Sequence, residues 1–248
     1  MKNSVIKIDN LKIKFGSLEV LKGITLELFE GENLVILGKS GTGKSVLIKC
    51  LVRLLSADEG TISVQGQEIS NLKSKELDNV REKIGFLFQS GALYDSMTVR
   101  QNLAFPLKRI KKELTPEQIE AKIIETLENV GLPNVIDKMP SELSGGMRKR
   151  ISLARTVIID PSIMLYDEPT TGLDPVTSDE ISLLINDIQK KYKTSSIIIT
   201  HDIECARAVA DRIVMLDEGN IYMEGTLADF EKSKDELVQS FFKNKKHN

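Results

Sequence analysis

Two segments of the sequence have the residues expected of phosphate-binding sites. The first fits the pattern G-x-x-x-x-G-K-[ST] and reads Gly38-Lys39-Ser40-Gly41-Thr42-Gly43-Lys44-Ser45. Glycines at this spacing let consecutive backbone N–H groups face a phosphate, while the lysine binds the β- and γ-phosphates and the serine hydroxyl binds Mg²⁺. A chance glycine-rich turn is the alternative. We therefore predict a site for a nucleoside triphosphate with Mg²⁺.

The second phosphate-binding segment lies further along the chain and reads Leu143-Ser144-Gly145-Gly146-Met147. A serine and two glycines before the helical run 147–159 offer a capping hydroxyl and free backbone N–H groups. A helix start of this kind can bind a second anion. The chain is therefore predicted to have two phosphate-binding ends.

An acidic pair, Asp167-Glu168, follows the apolar run 163–166 and supplies the opposite charge. Asp167 can hold Mg²⁺ directly or through water, and Glu168 can polarise an attacking water. Adjacent side chains on an extended strand point in opposite directions, so both serve one site only if the chain turns there, which Pro169 favours. A solvated acidic loop is the alternative.

Apolar runs predict the strands that position these residues. The run 34–37 leads into the first glycine-rich segment and then into a helix from Lys44 to about Leu55, and the run 197–199 ends at Thr200-His201. Carboxyl ends of parallel strands form the ligand-binding edge of an open sheet. We therefore expect the polar groups after 34–37, 163–166 and 197–199 to meet at one crevice of an α/β fold.

The remaining segments predict an antiparallel sheet edge, a helical region and a closing hairpin. Near the N-terminus, Leu11, Ile13 and Phe15 share one strand face, and Ile24, Leu26 and Leu28 lie on a second strand. The helical region runs from about Ser90 to Val157, with a capping box at 115–118 followed by an apolar face of Ile119, Ile123, Leu127 and Val130. Residues 213–216 and 221–223 predict the hairpin.

Composition limits the classes of function. The formal net charge of -2 and the pI near 5.9 argue against nucleic-acid binding as the main activity. No apolar run reaches bilayer length, and the N-terminus leads into an alternating strand, so we expect a cytoplasmic protein. Cys50 and Cys205 lie in helical patterns and are predicted to be buried thiols. The polar tail Lys243 to Asn248 is predicted to fray.

Taken in order, these motifs resemble the nucleotide-binding subunit of the ATP-binding cassette (ABC) transporter family over nearly the whole chain. Further matching parts are Gln89, Thr171-Gly172-Leu173-Asp174 and Thr200-His201-Asp202. The resemblance implies one nucleotide-binding domain, 1–248, built on a P-loop ATPase core with a mixed sheet. It also implies an N-terminal antiparallel β subdomain, an inserted α-helical subdomain at about 90–157 and a tail at about 231–248.

The resemblance also assigns roles for ATP hydrolysis with Mg²⁺. Catalysis falls to Gln89, Glu168 and His201, while Mg²⁺ is held by Ser45, Gln89 and Asp167. Phe15 stacks on adenine, although the alternation alone also explains it as part of the sheet face. His201 contacts the γ-phosphate, and its alternative is an ordinary histidine at a helix start. Contacts to the ATP of a second, identical subunit come from Ser144, Gly145, Gly146 and Asp174, which implies a head-to-tail homodimer around two ATP molecules.

Two details resemble one branch of the family, the ATPase of Mla-type lipid transporters that work with MCE-domain proteins. The second phosphate-binding segment, 143–147, corresponds to the signature segment of the family and carries Met147 where the family usually has Gln. A distinctive segment, 90–107, follows Gln89. This resemblance implies phospholipid as cargo and a transmembrane permease that holds the subunit on the inner face of the cell membrane. An MCE-domain protein and a small regulatory subunit are candidate partners, with no nucleic acid. The alternative is an importer ATPase for amino acids or another small solute.

The segment 90–107 also predicts a permease-binding groove. Its apolar residues Leu93, Tyr94 and Met97 are expected to be exposed, and in this family the coupling helix of the permease is received after Gln89. A surface loop without partner preference is the alternative.

Overall fold

The computed structural model describes residues 3–242, which form two compact units. The first unit contains the described residues of Met1–Leu72 and Ser195–Asn248, and the second is Lys73–Thr194. The predicted frayed tail, Lys243 to Asn248, lies outside the described residues. Strands and helices are interleaved along the chain, which confirms the predicted α/β class.

The strands are β1 (Ser4–Phe15), β2 (Leu18–Phe29), β3 (Asn33–Leu37), β4 (Glu59–Val64), β5 (Gln67–Glu68), β6 (Ile84–Leu87), β7 (Ile163–Asp167), β8 (Ser195–Thr200), β9 (Arg212–Asp217) and β10 (Asn220–Gly225). The helices are α1 (Lys44–Leu51), α2 (Ser74–Arg81), α3 (Val99–Ile110), α4 (Pro116–Asn129), α5 (Gly145–Val157), α6 (Pro175–Tyr192), α7 (Ile203–Val209), α8 (Leu227–Lys232) and α9 (Glu236–Phe242). A 3-10 turn spans Pro140–Glu142.

The first unit contains the predicted antiparallel sheet, in the order β2-β1-β4-β5. Leu11 and Ile13 on β1 are buried, as their alternation predicts, and they pair with residues of β2. Phe15 departs from this pattern because it lies at the end of β1, opposite the exposed Leu18, and is 49% exposed. Phe15 therefore does not continue the buried face of Leu11 and Ile13.

The first unit also contains parallel strands, with β3 between β8 and β9 and parallel to both. Strand β10 pairs antiparallel with β9, so this sheet is mixed, and the predicted closing hairpin is confirmed. Every residue of β3 and β8 is buried, which explains their continuous apolar runs. Helix α1 ends at Leu51, short of the predicted Leu55, because Arg53 adopts a left-handed φ of 50°.

The second unit contains the parallel pair of β6 and β7 and the helices α2 to α6. The predicted capping box at Thr115 and Gln118 is confirmed, and the apolar face of α4 is buried. The predicted helical region from about Ser90 starts later, at α3, because Gly91 and Ala92 both have positive φ and Thr98 caps the helix. Residues 90–98 are therefore a folded loop.

Both cysteines are buried, Cys50 in α1 and Cys205 in α7, as their helical patterns predict. Within residues 3–242, no helix combines the length and the apolar character needed to cross a membrane.

Candidate functional site

The glycine-rich segment of the first unit forms a loop between β3 and α1. Gly43, the residue before α1, has a φ of 98°, which an L-side chain rarely adopts. A Cβ at Gly43 would lie 2.8 Å from Leu21 Cδ2 and 3.0 Å from the carbonyl oxygen of Val20, so no side chain fits. This close approach packs the loop against the start of β2.

The ammonium group of Lys44 is held over this loop by backbone oxygens. Lys44 Nζ donates hydrogen bonds to the carbonyl oxygens of Gly38 at 2.7 Å and Lys39 at 2.9 Å. Only 6% of the Lys44 surface is exposed. Because Gly43 has no side chain, α1 starts without a side-chain cap, and an anion can accept from the backbone N–H groups of its first turn. Lys44 and the start of α1 thus present positive charge and N–H donors in one loop.

His201 lies at the same edge of the first unit as the glycine-rich loop. Leu37, the last residue of β3, pairs with Thr200, the last residue of β8, so the loop and His201 follow neighbouring strand ends. His201 is exposed. The turn around it is fixed, because the N–H of Asp202 donates to Thr200 Oγ1 at 2.9 Å and Asp202 caps α7 by accepting from the N–H of Glu204. The structure therefore brings His201 to the edge that holds the loop.

In the second unit the chain turns between the two predicted carboxylates. Strand β7 ends at Asp167, and Glu168 has a left-handed φ of 52°. This is the turn that two adjacent carboxylates need in order to face one site. Thr171 then fixes the Glu168 side chain, since its Oγ1 donates to Glu168 Oε2 at 3.1 Å. Both acidic residues are buried, which restricts their motion.

Lys149 on α5 connects Gln89 to Glu168 and was not among the predicted site residues. Its Nζ donates to the carbonyl oxygen of Gln89 at 3.0 Å and to that of Glu168 at 3.4 Å. Burial lowers the pKa of Lys149, and the negative charges of Asp167 and Glu168 oppose this shift. The helix pattern offered a signal, because Lys149 lies one turn before the apolar Leu153 and so on the inward face of α5.

The signature segment forms a capped helix start, as predicted. Ser144 Oγ accepts a hydrogen bond from the N–H of Met147 at 3.2 Å, and α5 begins at Gly145. A Cβ at Gly146 would lie 2.6 Å from Thr177 Cγ2, so Gly146 permits close contact with α6. Asp174 caps α6, and hydrogen bonds from Thr177 lower the pKa of the Asp174 carboxyl. The starts of α5 and α6 therefore lie side by side.

A cavity of about 440 Å³ in the second unit lies between the segment after Gln89 and the start of α5. It brings several predicted residues to one place, together with others that the sequence did not single out. Its lining includes Gln89, Gly91, Gly145, Lys149, Thr171 and Leu173.

The segment 90–107 is a folded loop and helix with a small aromatic surface. Tyr94 is 41% exposed, and its ring lies edge-on to Phe105 with 5.2 Å between ring centroids. Tyr94 is therefore exposed as predicted, whereas Leu93 and Met97, which were also predicted to be exposed, are only partly so. The side chain of Asn102 ties this loop to α3, because it accepts from the N–H of Tyr94 at 2.8 Å and donates to the Met97 carbonyl at 3.0 Å.

The chain is similar in sequence to known proteins of one family. Residues 21–171 match the family described as ABC transporter. The chain is 41% identical over 236 residues to the probable ribonucleotide transport ATP-binding protein mkl of Mycobacterium leprae, covering 95% of this chain and 68% of that protein. It is 40% identical over 227 residues to the glutamine transport ATP-binding protein GlnQ of Bacillus subtilis, covering 91% and 92%.

A plant relative and a solved structure extend the comparison. The protein TRIGALACTOSYLDIACYLGLYCEROL 3, chloroplastic, of Arabidopsis thaliana is 38% identical over 244 residues, covering 92% of this chain and 70% of that protein. The dimeric structure of MJ0796, a bacterial ABC transporter cassette, superposes with a TM-score of 0.82 at 31% identity, covering 90% of this chain and 98% of that one. The chain spans about two thirds of the length of mkl from Mycobacterium bovis, of which it covers 66%.

Proposed function

Because the chain belongs to the ABC transporter family, as an ATP-hydrolysing subunit, we propose that its glycine-rich loop binds the phosphates of Mg-ATP. The observation that carries this proposal is the position of Lys44, whose ammonium group is held over the loop by two backbone oxygens. Lys44 binds the β- and γ-phosphates, and the backbone N–H groups of residues 38–45 surround them. Phe15 stacks on adenine.

The residues present fit Mg²⁺, since the Ser45 hydroxyl, the Gln89 amide oxygen and the Asp167 carboxylate are the hard oxygen ligands that this ion prefers. When bound, Mg²⁺ neutralises charge on the β- and γ-phosphate oxygens. The turn at Glu168 allows its carboxylate and that of Asp167 to serve one site.

Glu168 acts in the hydrolysis step, with Thr171 fixing its carboxylate. The carboxylate accepts a proton from water as the water oxygen forms a bond to the γ-phosphorus. The bond from that phosphorus to the bridging oxygen breaks, and ADP and phosphate leave. His201 contacts the γ-phosphate and stabilises its developing charge.

To test ATP binding and hydrolysis, ATPase activity is measured for the purified chain with Mg²⁺ and for two lysine variants. Lys44→Met should lose phosphate binding and turnover. Lys49→Met, in the last turn of the same helix, is the matched control and should retain both. Equal activity of the two variants would contradict the proposed role of Lys44.

We further propose that two copies of the chain, each a single nucleotide-binding domain, close head to tail around two ATP molecules. The capped start of α5 and the adjacent start of α6 then meet the ATP of the partner copy through Ser144, Gly145, Gly146 and Asp174. A dimeric arrangement of MJ0796, at 31% identity, supports this proposal. Hydrolysis removes the γ-phosphate that joins the two copies and allows them to separate.

The surface around Tyr94 is proposed to bind the transmembrane permease, which would hold the chain on the cytoplasmic face of the cell membrane. Tyr94 and Phe105 form an exposed aromatic pair beside the segment that follows Gln89. The double change Leu93→Ser and Tyr94→Ser should release the chain from membranes while ATP still binds. Leu183→Ser, which alters an exposed apolar residue of α6, is the control. Unchanged membrane recovery of the double variant would contradict this surface.

Lipid is the cargo that we propose, with an MCE-domain protein and a small regulatory subunit as candidate partners. Met147 and the segment 90–107 support it, as does the plant relative, whose name is that of a lipid. The alternative, an importer of amino acids or another small solute, is supported by the relative named for glutamine transport. The mkl relatives are named for ribonucleotides, which is a third class of cargo.

Purification of the chain together with its membrane partners distinguishes between the lipid and amino-acid proposals. A copurifying MCE-domain protein, with phospholipid found in the complex by mass spectrometry, is the expected result. A permease that copurifies with a soluble amino-acid-binding protein would contradict the lipid proposal.

A further inference from the structure

Lys149 is a buried cation that the roles proposed above do not use. Only 6% of its surface is exposed. It lies on α5, two residues after the signature segment. A lysine ammonium has three N–H donors and no acceptor, so a buried lysine must be satisfied by oxygens. Here two of those oxygens are backbone carbonyls of residues with proposed roles in hydrolysis, Gln89 and Glu168.

These two carbonyls belong to segments that are far apart in the sequence. Gln89 opens the segment that leads to the proposed permease-binding surface, and Glu168 occupies the left-handed turn after β7. One ammonium group bonds both carbonyls. A shift of either segment therefore moves the donor that also bonds the other segment. The charge on the donor strengthens both bonds relative to those of a neutral group.

The same face of α5 holds the rest of the segment after Gln89. A Cβ at Gly91 would lie 2.5 Å from Ser152 Oγ, so the backbone of Gly91 packs directly on that side chain. One turn further along, Arg155 donates from its guanidinium to the carbonyl oxygen of Ala92 at 2.6 Å. Lys149, Ser152 and Arg155 are spaced three residues apart, which places them on neighbouring turns of one helix face. Gln89, Gly91 and Ala92 are therefore each held against α5.

We propose that Lys149 is a positioning residue for ATP hydrolysis, which holds the backbone of Glu168 in register with Gln89 and so orients the Glu168 carboxylate. This inference rests on the proposed roles of Glu168 and Gln89. It adds a route by which a permease bound at Tyr94 changes hydrolysis, because movement of residues 89–92 acts on Glu168 through one ammonium group. Burial lowers the pKa of Lys149, but the neighbouring Asp167 and Glu168 carboxylates favour its charged form.

The test compares Lys149→Met, which keeps the length of the side chain but removes the donor, with Lys149→Arg, which restores a charged donor. Lys122→Met is the matched control, because Lys122 is a partly buried lysine of α4 that pairs with Asp160 at 2.6 Å. For each variant, kcat and KM for ATP are measured on the purified chain, and the ATPase is measured again in the complex with the permease.

We expect Lys149→Met to lower kcat about tenfold or more with KM within about twofold, because displacement of a catalytic group by a fraction of an ångström has effects of this size. Lys149→Arg should recover most of kcat, and Lys122→Met should retain it. In the complex, Lys149→Met should also reduce the response of the ATPase to the permease.

Two results would overturn the inference. One is a kcat for Lys149→Met within about twofold of the unchanged chain, and the other is a loss that Lys149→Arg does not recover. Glu168→Gln separates this failure from failure of the proposed function. If Glu168→Gln abolishes turnover while Lys149→Met does not, then only the role of Lys149 is wrong. If Glu168→Gln retains turnover, then the proposed role of Glu168 is wrong as well.

Discussion

Leu37 and Thr200 lie opposite each other in the parallel pair of β3 and β8, at the last residue of each strand. The glycine-rich loop follows Leu37, and His201 follows Thr200. Two groups that are distant in the sequence therefore leave the sheet at the same edge, where ligands bind in folds of this class. This pairing is the structural reason to treat His201 as more than a histidine at a helix start.

The first prediction concerns His201. His201→Ala should lower kcat about 100-fold while ATP affinity changes little, because the lost contact acts on charge that develops on the γ-phosphate during hydrolysis. Steady-state kinetics and a separate nucleotide-binding titration measure the two effects. Since His201 is exposed, the substitution should leave the unfolding free energy nearly unchanged. An unchanged kcat in His201→Ala would show that His201 is an ordinary histidine at a helix start with no role in hydrolysis.

The second prediction concerns Phe15. Because its ring is 49% exposed, Phe15→Ala should cost little stability but weaken ATP binding about tenfold through loss of stacking. Phe15→Tyr keeps the aromatic face and should bind ATP normally. Ile13→Ala, at a buried position of the same strand, is the opposite case and should lower the unfolding free energy by about 2–5 kcal/mol. Equal ATP affinity in Phe15→Ala would show that Phe15 does not stack on adenine.

The features that the sequence predicted are those determined by local chemistry. Thr115 and Ser144 are capping residues whose own side chains bond the backbone three residues later, so sequence spacing alone locates them. The turn at Glu168 was likewise expected from Pro169. Lys149 could not be assigned in the same way, because its partners are backbone carbonyls that approach it only after β7 and the segment after Gln89 have folded around α5.

The loop 90–98 shows the same limit. Its apolar residues were expected to be exposed, but Leu93 and Met97 are only partly so, and Asn102, a residue of α3, bonds the backbone of that loop. The positive φ values at Gly91 and Ala92 also delay the first helix of the predicted helical region, about 90–157, until Val99. The residue pattern within 90–98 indicates neither the hydrogen bonds of Asn102 nor these backbone angles.

The third prediction concerns Asn102. Its side chain is fully buried and bonds the backbone of Tyr94, Met97 and Thr98. Asn102→Ala should lower the unfolding free energy by about 2–3 kcal/mol, because buried backbone groups lose their partner. Hydrogen exchange should also become faster in residues 94–98. Lys108→Ala, an exposed change on the same helix, is the control, and equal urea midpoints for the two variants would contradict the role of Asn102.

The fourth prediction concerns the pH dependence of Cys50. Burial raises the pKa of the Cys50 thiol from 9.0 to about 11, so the folded protein holds this proton where an unfolded chain has lost it. Unfolding should therefore become easier as the pH rises from 9.0 towards about 11, and Cys50→Ala should weaken this dependence relative to the unchanged chain. Urea unfolding at a series of pH values measures the difference. Identical pH profiles would contradict the shift.

Alkylation provides an independent check on the same thiol. In a Cys205→Ala background, the native protein at pH 8 should react with iodoacetamide far more slowly than the protein in urea, because the reagent attacks the thiolate and needs access. Rapid native labelling at Cys50 would contradict its burial.

The fifth prediction concerns the in-trans contact at the start of α5. If Ser144 binds the ATP of the partner copy, then adding Ser144→Arg to Glu168→Gln should prevent ATP-dependent dimers without changing ATP binding to the glycine-rich loop. The large side chain occupies the place of the γ-phosphate contact while Lys44 is untouched. Dimers that persist in the double variant would contradict the head-to-tail arrangement.

Glu168 is proposed to accept the proton of the attacking water between two ATP-bound copies, and the variant Glu168→Gln removes that base. The amide keeps the size of the side chain and the bond to Thr171 but cannot act as the base. Turnover and the mass in solution are measured together with Mg-ATP. We predict that the variant binds ATP, loses turnover and accumulates as a dimer, whereas full ATPase activity in Glu168→Gln would show that Glu168 is not the base.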